Sequence, residues 1–188
     1  TTTMKRVFMI HRWSGAGKDD WRPWVKAELE KKGYEVVVPE MPNRDEPKID
    51  AWVGHLRSLV GTPDSETYFV GHSIGCQTIL RYLETINTPI GGAVFVAGWF
   101  KLENLEDDEV VELAKPWMET PIDLAKVRKV LSNSTLFISD NDPYGASEIN
   151  KAKFMELGTK IVVLPGAGHV TQDDGYTTLP QIIEVLDV

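Results

Sequence analysis

Residue types that can pass one proton between them lie far apart in this sequence: a serine at 73, aspartates at 140 and 142, and a histidine at 169. A serine hydroxyl is a weak nucleophile near neutrality. It attacks a carbonyl efficiently when an imidazole takes its proton and later returns it to the leaving group. A carboxylate on the far side of the ring orients the imidazole and stabilises its protonated form. Ser73 sits in Gly71-His72-Ser73-Ile74-Gly75, where small residues at both ends relieve the crowding of a sharp turn. The peptide N–H of Ile74 is then free to stabilise an oxyanion. By itself the pentapeptide is no more than a tight turn; the order serine, acid, histidine gives it weight.

Stepping these residues onto a scaffold requires strands that end where they begin. The apolar run Tyr68-Phe69-Val70 leads into the pentapeptide, and a helix-like stretch follows it. Thr135 to Ser139 reads as a strand that ends in Asp140-Asn141-Asp142-Pro143, and Lys160 to Leu164 as one that ends in Pro165-Gly166-Ala167-Gly168-His169. All three candidates therefore fall at the strand ends where ligands collect in an open parallel sheet. Further strands are expected at Lys5–His11, Tyr34–Val38 and Ala93–Ala97, and helices at Trp21–Lys32, Ile49–Val60, Ile74–Glu84, Ser147–Leu157 and Leu179–Leu186. Such alternation predicts an α/β fold, a mostly parallel sheet of about six strands with helices on both faces, in one domain spanning 1–188. Pro23 suits a first helical turn, with Asp19 or Asp20 as its cap. Residues 98–130 break the alternation, and we read them as a small insertion near the site.

Together these features resemble the α/β-hydrolase superfamily, and more closely its small, nearly lidless branch typified by retinoblastoma-binding protein nine and its bacterial relatives. The resemblance runs over almost the whole chain: the first strand with the His11 loop, Asp20-Trp21-x-x-Trp24, Pro39-x-Met41-Pro42, the serine turn, Asn141-Asp142-Pro143 and Gly168-His169. It implies a compact hydrolase fold without a large lid, with Ser73, Asp142 and His169 as nucleophile, acid and general base. It implies no cofactor.

Several positions keep two readings. Local chemistry does not separate Asp140 from Asp142, since either also serves as a turn aspartate beside Asn and Pro; the family pattern favours Asp142. The loop Arg12 to Gly17 should supply a second oxyanion donor, the backbone N–H of Arg12 or Trp13. Relatives commonly carry His-Gly or Pro-Gly where this chain has His11-Arg12, so Arg12 either projects into the site and favours a polar or anionic acyl group or points to solvent. His11 is a candidate pocket residue, whereas His72 should pack or hydrogen-bond and His55 should belong to a helix. Trp99, Phe100 and Trp117, on the flanks of the insertion, are candidate walls of an acyl pocket, with ordinary core packing as the other reading. Trp21 and Trp24 are expected in the core. The acidic run Glu103 to Glu112 is read as a solvated helix face.

Composition sets outer limits. The 188 residues are 42% apolar and 26% charged, enough to bury roughly two-thirds of the unfolded surface in one core. A net charge of −8 and a pI near 5.0 argue against nucleic acid or an anionic membrane as partner, and no run approaches the ~18 apolar residues of a membrane span. Thr1 to Thr3, ahead of Met4, read as a remnant of expression cloning. Cys76 is the single cysteine, so an internal disulfide is impossible, and we expect a small core residue in a cytoplasmic protein. It lacks the Leu-x-Cys-x-Glu surroundings that bind retinoblastoma-type pockets, so the partner in the family's name does not carry over. Gly17-Lys18 fails as a phosphate loop, with Arg12 where the first glycine belongs and Asp19 where magnesium needs Ser or Thr. The 140–151 loop fails as a calcium site, with Lys151 at the glutamate position. His and Cys are too few and scattered for a metal centre.

The expected activity is hydrolysis of small carboxylic esters or related acyl bonds through an acyl-Ser73 intermediate, with a small-molecule acyl substrate as the partner. Amide or peptide cleavage by the same residues is one alternative. A binding or regulatory protein on a hydrolase scaffold is another, kept open by Arg12.

Overall fold

Side chains of successive strand residues face opposite sides of a sheet, and here both sides are apolar. In the computed structural model, which describes residues 4–186, Phe8 and Ile10 enter one core and Val7 and Met9 the other. The same division holds for Phe69 against Tyr68 and Val70, for Phe95 against Val94 and Val96, and for Leu136 and Ile138 against Phe137. A sheet buried on both faces needs helices on both, and parallel strands supply them as crossovers.

The sheet comprises β1 (Arg6–Ile10), β2 (Glu35–Val37), β3 (Thr67–His72), β4 (Gly92–Val96), β5 (Ser134–Ser139) and β6 (Lys160–Leu164). Their order is β2-β1-β3-β4-β5-β6, and every adjacent pair is parallel. Helices α1 (Arg22–Lys31) and α7 (Pro180–Leu186) cover one face. The other carries α2 (Ile49–Val60), α3 (Ile74–Leu83), α4 (Asp108–Glu119), α5 (Leu124–Val130) and α6 (Ser147–Glu156). Strand order reverses between β1 and β3: the chain leaves β1 through α1 on one face and β3 through α3 on the other. The crevice between their carboxyl ends is where such sheets bind ligands.

Element bounds agree with the sequence pattern to within one residue. Two local expectations are corrected. Neither Asp19 nor Asp20 caps α1, whose N-cap is Trp21 without a side-chain cap bond; the Asp20 carboxylate is buried in an ionic cluster instead. Residues 98–130 hold an irregular stretch followed by α4 and α5. Within its acidic run Asp107 has a specific task, accepting from the N–H groups of Glu109 and Val110 to cap α4. Among the described residues, no helix is long and apolar enough to cross a membrane. Thr1 to Thr3 lie outside the described residues.

Candidate active site

Ser73 joins β3 to α3 with φ 58° and ψ −119°, a conformation that costs an L-residue free energy and persists only where its surroundings enforce it. Enforcement comes from both sides of the turn. The Ser73 N–H donates to Val96 O at 2.8 Å and its carbonyl accepts from Cys76 N at 2.9 Å. A Cβ on Gly75 would stand 2.3 Å from Ile10 O and 2.9 Å from His11 O; on Gly71 it would stand 2.8 Å from Cys76 N. Glycine at these positions thus lets α3 press against the end of β1, which brings the 11–13 loop beside the start of α3. The first N–H groups of that helix, Ile74 included, have no intrahelical carbonyl to meet.

Loops after β5 and β6 are joined residue by residue. Asp140 Oδ1 accepts from Gly166 N at 2.8 Å, Asn141 Oδ1 from Gly168 N at 2.7 Å, and Asp142 Oδ2 from His169 Nδ1 at 2.7 Å, while Ser139 Oγ donates to Gly168 O. Asp140 is thereby spent on the backbone of the facing loop, and Asp142 is the acid that faces the imidazole. Tyr144 N donates to Asp142 Oδ1 at 2.9 Å, and the Tyr144 ring meets His169 edge-on at 4.8 Å. On the other side of its ring, His169 Nε2 lies 2.8 Å from Ser73 Oγ. His169 lies between Gly168 (φ +60°) and the β-branched Val170 (φ 56°), and its own N–H is held by Asp174. That carboxylate accepts from His169 N, Thr171 N and Thr171 Oγ1 and occupies the place a Gly168 Cβ would take.

Beneath these loops lies a buried ionic cluster. Asp20 Oδ2 accepts from Arg12 Nε and Arg22 Nη2, each at 2.8 Å, and Oδ1 accepts from Gln172 N at 2.7 Å. Arg22 Nη1 donates to His72 Nδ1 at 2.9 Å, so that nitrogen carries no proton and His72 Nε2–H donates to His169 O at 2.9 Å. Trp21 Nε1 donates to Val170 O at 3.1 Å. Burial raises the Asp20 carboxyl, but the bonds it accepts from Arg12 and from Gln172 N outweigh this and hold it well below the usual carboxylate range. Burial is also the chief influence on His72, lowering it to about 4 against the opposing pull of Asp20. One carboxylate thus ties the 12–13 loop to the loop that carries His169.

A cavity of about 100 Å³ opens beside Ser73, walled by Trp13, Trp99, Leu102, Leu105, Val110 and Tyr144. Among the described residues, no charged side chain lines it. Trp99 Nε1 donates to Ser73 Oγ at 3.0 Å.

Residues 7–188 match the family described as serine hydrolase. The chain belongs to the serine hydrolase family. It is 26% identical over 184 residues to YdeN of Bacillus subtilis, covering 97% of this chain and 94% of that protein. The crystal structure of YdeN superposes with a TM-score of 0.89, covering 98% and 97% of the two chains. Two structures at lower identity share the fold. Est1E from Butyrivibrio proteoclasticus, solved with ferulic acid bound, has a TM-score of 0.73 at 14% identity, with 97% and 90% coverage. A structure from Nitrososphaera gargenis, described in work on carboxylesterases, has 0.70 at 13%, with 98% and 89% coverage.

Some residues expected at the site of this serine hydrolase are placed elsewhere. Arg12 neither enters the cavity nor points freely to water, because Asp20 binds it; its side chain is 19% exposed. His11 is fully buried, accepting at Nε2 from Met41 N and donating from Nδ1 to Arg12 O, so it joins two loops instead of lining the pocket. Phe100 packs on Phe154, with ring centroids 5.0 Å apart. Trp117 packs edge-on against Trp52 and donates to Pro47 O. Both face a separate cavity of about 400 Å³. Conversely, Leu102, Leu105 and Tyr144 lie in irregular segments with no periodic pattern to give them a direction, whereas Val110 shares the helical i, i+4, i+7 spacing of Ala114 and Trp117 in α4, a signal overlooked within the acidic run. Cys76 is buried and its thiol is pushed up by that burial, which leaves it inert.

Proposed function

We propose that this serine hydrolase cleaves esters of short, uncharged carboxylic acids through an acyl-Ser73 intermediate. The observation that carries the reading is the unbroken chain of contacts from Asp142 Oδ2 through both His169 nitrogens to Ser73 Oγ, at 2.7 and 2.8 Å. His169 takes the Ser73 proton as Oγ bonds to the acyl carbon, then gives it to the leaving alkoxide; Asp142 stabilises the imidazolium between these steps. The N–H of Ile74 and the N–H of Trp13 or Arg12 receive the negative charge on the carbonyl oxygen. Water, deprotonated by His169, then releases the acid. A small apolar cavity without cations supports a short, neutral acyl group. The choice of esters over amides draws on the fold shared with Est1E and the Nitrososphaera gargenis structure.

The test is labelling by a fluorophosphonate, followed by a series of p-nitrophenyl esters of increasing chain length and matched anilides. We expect labelling that Ser73→Ala and His169→Ala abolish, rates highest for the shortest acyl groups, and slower anilide cleavage. A folded wild-type protein that neither labels nor turns over would refute the reading and leave a binding role on this scaffold. Preference for anilides would instead make the protein an amidase.

A further inference from the structure

We propose that the indole N–H of Trp99 is a catalytic donor to the Ser73 oxygen, stabilising charge on Oγ whenever that oxygen is released from an acyl group. The inference rests on the acyl-Ser73 reading above.

A hydroxyl has one proton and two lone pairs. His169 Nδ1 faces the Asp142 carboxylate and so holds its proton there, which leaves Nε2 as the acceptor of the Ser73 hydroxyl. Trp99 Nε1–H takes one Oγ lone pair at 3.0 Å. A single lone pair remains for attack, and its direction is set by the other two bonds. Ser73 is 4% exposed and Trp99 2%, so the indole–oxygen bond is shielded from water and electrostatically stronger for it. The indoles of Trp13, Trp21, Trp52 and Trp117 donate to main-chain carbonyls. That of Trp99 goes to the side chain that does chemistry.

The donor is held rigidly. Trp99 follows β4, whose Val96 carbonyl binds Ser73 N, so the two residues share one anchor. Just beyond it, Asn150 Oδ1 accepts from Phe100 N and Lys101 N at 2.8 and 3.0 Å, and Asn150 Nδ2 donates to Lys101 O at 3.0 Å. Asn150 is itself buried. Donors fixed in this way before reaction need no reorganisation when charge develops.

The indole's hydrogen bond to Oγ strengthens most during deacylation, when an ester oxygen becomes a hydroxyl oxygen. Water bonds to the acyl carbon and gives its proton to His169 Nε2, and the carbonyl π pair moves onto the carbonyl oxygen. As that pair returns, the C–Oγ bond breaks and its electrons pass to Oγ, which recovers a proton from His169. The indole N–H already points at the oxygen receiving this pair. Attack by Ser73 makes the same bond in reverse, but there the indole already binds the resting hydroxyl at 3.0 Å and gains less on the way to the transition state, whereas the ester oxygen of the acyl-enzyme is a weak acceptor and gains the bond only as it departs.

The deciding variant is Trp99→Phe, which keeps an aromatic wall and deletes the donor. We expect kcat for p-nitrophenyl acetate to fall about tenfold, within the range for losing one hydrogen bond to a reacting oxygen, with KM unchanged or lower. A pre-steady-state burst of p-nitrophenol should grow toward one equivalent as deacylation slows, and Trp99→His, which restores an N–H, should recover part of the rate. A wall residue alone would change KM and leave the burst as it was. The second readout needs no Trp99 variant: in 15N-tryptophan-labelled protein, the Trp99 indole resonance should move when Ser73→Ala removes its acceptor. A folded Trp99→Phe enzyme with wild-type kcat and burst overturns the proposal, as does an indole resonance that ignores Ser73→Ala. Wild-type protein that forms no acyl-enzyme would overturn the parent reading and this role with it, whereas normal labelling in Trp99→Phe with unaltered turnover would overturn only this one.

Discussion

Acid should weaken this protein through His72 before it protonates the carboxylates. Unfolded, His72 binds its proton near 6.5; folded, it does so at about 4, because burial disfavours the imidazolium and Arg22 stands against Nδ1. Between those values the unfolded chain holds more protons than the native protein, so stability falls as pH falls. It is unaffected by this group above 6.5 and changes no further below about 4. Taking one pK unit as about 1.4 kcal/mol, acidification from pH 7 to 4.5 should remove about 2.5 kcal/mol through this residue alone. His72→Gln offers a neutral side chain with a similar acceptor and donor, and should cost about 1 kcal/mol at pH 7 if one of the two bonds weakens. The measurement is urea unfolding followed by tryptophan fluorescence at several pH values from 7.5 down to 4.5, above the range where Asp20 matters. His11, which burial also lowers, is present in both proteins and cancels in the comparison. The variant should therefore be less stable than wild type at neutrality and more stable near pH 4.5. Parallel curves for the two proteins would refute the argument, since they would mean that His72 titrates alike in both states.

Two further substitutions separate adjacent residues that look alike in sequence. Asp142→Asn should lower kcat by roughly three to four orders of magnitude, because a neutral amide does not stabilise the imidazolium and its NH2 can donate to His169 Nδ1 and favour the wrong tautomer, whereas Asp140→Asn should leave ester hydrolysis nearly unchanged; equal losses in steady-state assays would contradict the placement of the two acids. Gly75→Ala should destabilise by about 1–3 kcal/mol and abolish fluorophosphonate labelling, since its methyl group would meet backbone carbonyls of Ile10 and His11 that cannot swing aside; thermal melting with full labelling retained would show that the turn tolerates the contact.

Much of this protein is determined locally and so is legible in its residues. Apolar runs with β-branched and aromatic side chains specify strands, their spacing specifies parallel crossovers, and a glycine on each side of Ser73 specifies a turn that other residues cannot make. Those are properties of a few neighbours along the chain, and the order of Ser73, Asp142 and His169 then follows from which strand each one ends. What depends on distant segments meeting in space could be decided only by the tertiary structure. Arg12 looked free to face solvent or substrate because its partner, Asp20, looked like a helix cap; each resolves the other only once the loop folds back and Gln172, 152 residues away from Asp20, adds its N–H. The choice between Asp140 and Asp142 is likewise made by Gly166 and His169 across the gap between two loops. Trp99 and Phe100 are equivalent in sequence, yet one meets Ser73 and the other Phe154. Secondary structure is written in short-range sterics and periodicity, whereas the direction of a polar or aromatic side chain is set by whichever remote group satisfies its hydrogen bonds or fills its contact surface.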